Sequence, residues 1–138
     1  MRKSIFGLSL LALALIAAAC GGGSLEGEEV LVFGAPSTES GDGKAIQAVF
    51  DDFTEKTGII ATYVGSENFE SEIQVQLSSG DAPDIIYWPQ PGGVVDAAER
   101  GLLTPIADLG IDIDAYKAAY SPYLVSLGTV DGVVYGGA

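Results

Sequence analysis

Val30-Leu31-Val32-Phe33-Gly34 decides the fold. Four consecutive apolar residues closed by glycine are the mark of a strand buried on both faces, the kind used in parallel sheets. A loop rich in Gly, Pro and Ser runs on from Gly34 to Gly43. From Lys44 onward, Ile46, Val49, Phe50 and Phe53 fall at i, i+3, i+4 and i+7, which predicts a helix packed through that stripe. Asp42 is placed to cap its start, and Lys56-Thr57-Gly58 to stop it. Ile59 to Val64 reads as a second strand, and Gly65-Ser66-Glu67-Asn68 as the next turn. Asn68 is expected to cap a helix whose Phe69, Ile73 and Leu77 share one face up to Gly80. Asp81-Ala82-Pro83 breaks that helix, and Asp84 to Trp88 forms a third strand. Gly92 to Arg100 predicts a short helix closed by Gly101, and Ile113 to Tyr120 a weaker one ended by Ser121-Pro122. Asp131-Gly132 between Val130 and Val133 is the two-residue signal of a hairpin. The alternation of strands and helices predicts an α/β domain, mainly parallel sheet flanked by helices.

The N-terminal residues read differently. Arg2 and Lys3 precede an uncharged stretch from Ile5 to Ala19, and Ala17-Ala18-Ala19 lead directly into Cys20, the one cysteine of the 138 residues. The stretch is short for a permanent membrane span, which takes about 20 apolar residues, and suits an export signal instead. Small residues before a cysteine, with Gly21-Gly22-Gly23-Ser24 after it, resemble a bacterial lipoprotein signal. Ala17 stands where that pattern usually has leucine. The resemblance implies that Cys20 is lipidated and becomes the first residue of the mature chain. Residues 1–20 are then signal, 21–27 a Gly-rich linker and 28–138 the folded part. Because the chain stops on Gly136-Gly137-Ala138 just after a strand, the folded part reads as an incomplete lobe of a longer protein.

Composition removes several functions. All 19 acidic residues lie at Glu26 or beyond, and only Lys44, Lys56, Arg100 and Lys117 remain basic once the signal is gone. A surface this acidic repels phosphate backbones and anionic lipid, so nucleic acid is not a partner and membrane contact comes through the anchor. With no histidine, and its single cysteine at the anchor, the chain lacks a Ser/His/Asp or Cys/His nucleophile system. It also lacks an ordinary zinc site and a disulfide framework. No cofactor or metal is expected.

In an open α/β sheet, ligands bind outside the carboxyl ends of the strands. The loops leaving the three strands, Gly34 to Ser40, Gly65 to Asn68 and Trp88 to Gly93, are therefore expected along one edge. Ser37, Glu39, Ser66, Asn68, Trp88 and Gln90 are the candidate binding residues. Hydroxyls, amides, one carboxylate and the sole tryptophan suit a polyhydroxylated ligand better than an ion. Ser66 and Asn68 would serve equally as helix caps, and Trp88 as a cover for the core. Pro89-Gln90-Pro91 holds the chain extended, and Gly92-Gly93 admits a close backbone. Asp84 is expected to bond local backbone amides. A secreted, lipid-anchored glycosidase would instead use two carboxylates a fixed distance apart; against it, no pair of acids is expected in the converging loops, where Glu39 stands alone. A receptor for another solute stays open; a metal receptor would want histidines or several acids, and an oxyanion receptor an arginine or an open helix N-terminus.

From Phe50 to Tyr135 the chain resembles the extracellular solute-binding proteins of carbohydrate ABC importers. Phe53-x-x-x-Thr57-Gly58, the run Gly80-Asp81-Ala82-Pro83-Asp84-Ile85-Ile86-Tyr87-Trp88, and Gly101-Leu102-Leu103-Thr104-Pro105-Ile106 follow that family's order and spacing. Gly65-Ser66-x-x-Phe69-Glu70 and Trp88-Pro89-Gln90-Pro91-Gly92 look most like its α-glucoside-binding branch. The resemblance implies the first lobe of a two-lobed periplasmic-binding-protein-like fold that closes on sugar and docks on a permease. The protein would be a monomer and not an enzyme, held outside the cytoplasm by its lipid. Maltose-binding relatives contact sugar through a tryptophan at the position of Trp88. They also place an acid and an arginine where this chain has Pro91 and Gly92.

Overall fold

The computed structural model describes residues 25–137; the expected signal and most of the expected linker, Cys20 included, lie outside them. Three parallel strands form the main sheet in the order β2-β1-β3, with β1 Glu29–Gly34, β2 Ile60–Gly65 and β3 Ile85–Tyr87. Helix α1 (Gly41–Thr57) joins β1 to β2, and α2 (Phe69–Ser79) leads back across β1 to β3. After β3 come α3 (Pro91–Glu99), a 3-10 turn (Ile106–Leu109), α4 (Ile113–Ala119), α5 (Pro122–Leu127) and a hairpin of β4 (Thr129–Val130) and β5 (Val133–Val134). Sequence periodicity predicted this alternation and the parallel sheet correctly.

The core lies where α2 and α3 cover β1. Phe33, Phe69, Ile73, Leu77 and Ala97 form one buried cluster, with Ile86, Trp88, Leu102 and Leu103 packed against it. The expected face of α2 is fully confirmed, since Phe69 and Ile73 are at most 1% exposed. Successive strand residues point to opposite faces, so Val32, Ala61 and Tyr63 are buried on the side away from Phe33. The hairpin also forms as expected: Asp131 and Gly132 both take positive φ, 49° and 83°, as a tight primed turn requires.

Other expectations need correction. Helix α1 is capped by Ser40, whose hydroxyl accepts the Gly43 N–H at 3.0 Å, and Asp42 sits inside the first turn. Its apolar stripe is only half of its inward face: Ile46 and Phe50 face inward beside Gly43, Gln47 and Thr54, while Val49 is 66% and Phe53 41% exposed. Polar side chains share that face because they bond the backbone of the edge strand β2, as the Gln47 amide does. Strand β1 is buried only from Val32 to Gly34, with Leu31 left exposed. Asn68 occupies the N-cap position of α2 without a side-chain bond to it. Asp84 does accept a backbone amide, but the distant one of Leu31, at 2.8 Å. Ser121-Pro122 does not merely end α4; it starts α5, with the Ser121 hydroxyl accepting the Leu124 N–H.

Candidate functional site

Register sets the site. Gly34 pairs with Gly65 on one side and with Tyr87 on the other, so the three strands end level and release their loops from one line. Because β2 and β3 flank β1, the order of strands reverses at β1, the place where open α/β sheets form their ligand crevice.

The first two loops are joined. The Thr38 N–H donates to the Gly65 carbonyl at 3.2 Å, and the Gly65 N–H donates to Thr38 Oγ1 at 2.8 Å. Beneath them, the buried Tyr63 hydroxyl donates to the Pro36 carbonyl at 2.7 Å. Burial, and secondarily the neighbouring Tyr87, push that hydroxyl above the usual phenol range, so it keeps its proton at neutral pH. A side chain at Gly65 would overlap the Pro36 carbonyl, which is why the chain has glycine there. The structure thus brings Ser37, Glu39, Ser66 and Asn68 onto neighbouring loops. Ser37 and Ser66 are half-buried and Asn68 exposed, with the Ser66 hydroxyl accepting the Asn68 N–H at 3.1 Å. Glu39 is exposed and pairs loosely with Lys44 at 3.7 Å, an ion pair with little energetic weight. Glu67 also belongs to the second loop and is exposed, so the loops carry two acids rather than one. Among the described residues no three acidic side chains converge to hold a metal ion.

The third loop is built from its aromatic inward. Trp88 is half-buried, meets Phe69 edge-on at 5.9 Å, and packs against the core cluster. The close neighbour of Gly93 is the Trp88 indole itself, which would collide with any Cβ there. Trp88 Nε1 is buried with no hydrogen-bond partner among the described residues. Gln90 is exposed, extended (φ −107°, ψ 115°) and makes no side-chain cap for α3, which begins at Pro91.

Sequence reasoning missed two features. Tyr63, hidden mid-strand, supports the first loop, and no local pattern marks it. A groove of about 750 Å³ also runs along β3, lined by Asp84, Ile86, Trp88, Leu103, Thr104 and Tyr135 among others.

Comparison with known proteins agrees with this geometry. Residues 37–135 match the family of bacterial extracellular solute-binding proteins. The chain is 32% identical over 136 residues to the osmoprotective compounds-binding protein GgtB of Synechocystis sp., across 95% of this chain and 32% of that relative. It is 36% identical over 113 residues to the alpha-glucosides-binding periplasmic protein AglE of Rhizobium meliloti, across 80% of this chain and 24% of that one. A solved structure of CpMnBP1 with mannotriose bound superposes with a TM-score of 0.63 at 16% identity, over 80% of this chain and 28% of the other. That likeness speaks for the fold. The chain spans about a quarter to a third of the length of these relatives. With most of its length matched by the family and level strand ends carrying the expected loops, the chain belongs to the bacterial extracellular solute-binding proteins.

Proposed function

We propose that this chain supplies most of the first lobe of the substrate-binding lipoprotein of an ABC importer, which captures an α-glucoside or related oligosaccharide outside the cell membrane. The observation that carries the reading is the joined edge of hydroxyl- and amide-bearing loops at level strand ends. Sugars present hydroxyls around a ring whose faces are partly C–H, so a receptor needs polar partners at the rim and an aromatic surface beneath. Ser37, Glu39, Ser66, Asn68 and Gln90 supply polar partners, and Trp88 the aromatic. The relative named for binding alpha-glucosides supports the choice of sugar.

In this reading residues 28–138 form most of the first lobe, and ligand is held against a second. Closure is a population shift driven by contacts that sugar makes only when both lobes reach it, and no bond is made or broken. The closed monomer then docks on the permease. Residues 1–20 act as the signal and 21–27 as the tether, with Cys20 acylated.

Titration calorimetry on the full-length gene product tests the reading, using maltose, trehalose, a β-linked glucoside and osmoprotective solutes, the last because of the GgtB likeness. Saturable binding of the α-linked sugars is expected, weakened at least about tenfold, or 1.4 kcal/mol, by Trp88→Ala in a folded protein. Binding of osmoprotective solutes alone would reassign the ligand; binding of none would end the proposal.

A further inference from the structure

The two joined loops differ from an ordinary pair of neighbouring turns in how completely one residue is matched. Gly65 presents its N–H and its carbonyl to Thr38, and Thr38 answers both. Its backbone N–H donates to the carbonyl, its Oγ1 accepts the Gly65 N–H, and its hydroxyl also lies 3.4 Å from that carbonyl as a donor. A side chain that donates and accepts at once is required, which valine or alanine is not. The loop has no room to shift instead: a Cβ at Gly43 would strike the Ser37 carbonyl, just as one at Gly65 would strike that of Pro36. The Ser37 carbonyl is further held by the Ser40 hydroxyl at 2.6 Å.

We infer that Thr38 is a positioning residue, joining the β1–α1 and β2–α2 loops so that Ser37 and Ser66 stand at a fixed spacing before ligand arrives. The Thr38 hydroxyl is occupied by Gly65, so it acts through the groups it places and not by touching the ligand. Fixing a rim in advance removes the ordering cost that a ligand would otherwise bear. The inference rests on the sugar-binding reading for its ligand, but not for the joint itself.

Thr38→Val keeps the side-chain shape and deletes the hydroxyl, whereas Thr38→Ser keeps the hydroxyl. In the full-length protein, amide hydrogen exchange at Gly65 and maltose affinity are measured for both. Thr38→Val is expected to speed exchange at Gly65 by about tenfold while leaving the Ile73 amide, in the core, unchanged. Maltose affinity should fall about fivefold to tenfold, and Thr38→Ser should restore both readings. Unchanged exchange at Gly65 overturns the inference. So does faster exchange with full affinity, equal acceleration at Gly65 and Ile73, or failure of serine to rescue. If wild type binds no maltose, the sugar reading falls, and exchange at Gly65 against Ile73 still decides whether Thr38 sets the rim. Should Thr38→Val not fold, Thr38→Ala carries the same comparison.

Discussion

Gln47 accepts the backbone N–H of Tyr63 at 2.7 Å through its side-chain oxygen, and its amide nitrogen donates to the Ala61 carbonyl at 3.2 Å. One residue of α1 thereby imitates a neighbouring strand along the outer edge of β2. Thr54 extends the imitation, its hydroxyl accepting the Ala61 N–H at 3.1 Å. Open edges invite other chains to pair, so a helix that occupies one with side chains protects the sheet.

Gln47→Leu should therefore destabilise the protein by about 1–3 kcal/mol, because the Tyr63 N–H and Ala61 carbonyl lose their partner beneath the helix. Urea unfolding measures it. An unchanged midpoint would mean that water replaces the amide without loss.

Gly93→Ala places a methyl group where the Trp88 indole lies. The ring has to move or the helix to shift, at about 1–3 kcal/mol. Trp88 is the one tryptophan among these 138 residues, so with any tryptophans of the rest of the protein replaced, its emission should shift with the same substitution. An unaltered spectrum and midpoint would show that the indole does not rest on Gly93.

Burial separates two residues of equal sequence prominence. Phe69 is 1% exposed between Phe33 and Trp88, so Phe69→Ala should cost about 3–5 kcal/mol. Val49 is 66% exposed, and Val49→Ala should stay within about 0.5 kcal/mol. Half-buried Phe50 should fall between them. Denaturation midpoints in the reverse order would contradict the packing of α1.

Alkali should expose Tyr63. Its pKa is raised above the ordinary 10.0 by burial, with Tyr87 adding to it. In the unfolded chain the phenol ionises first, so the native state holds more protons in the window between the two values. The stability this contributes is full below the unfolded pKa and is lost as pH rises through the native one. As pH rises above about 10, urea stability of Tyr63→Phe should decline less steeply than that of wild type. Parallel declines would assign the alkaline limb to other groups.

Cys20 is the last test. Expressed in a bacterium, wild type should fractionate with membranes and Cys20→Ala should not, since an acyl anchor is the only membrane contact proposed. Equal solubility of the two would remove the lipoprotein reading.

What the sequence determined by itself is what neighbours along the chain decide. Stops at Gly58 and Gly80, the Asp131-Gly132 turn and the Phe69, Ile73, Leu77 face were legible because each depends on φ or on a spacing within a few residues. The parallel sheet followed from the alternation, and with it the expectation that three loops meet. Tertiary structure decided the rest. The buried face of α1 depends on which strand lies at the sheet edge, and periodicity does not report strand order. Thr38 meets Gly65 across 27 residues and Asp84 meets Leu31 across 53. No pattern in either stretch specifies such a partner, because a hydrogen bond between distant residues exists only once packing has set their separation.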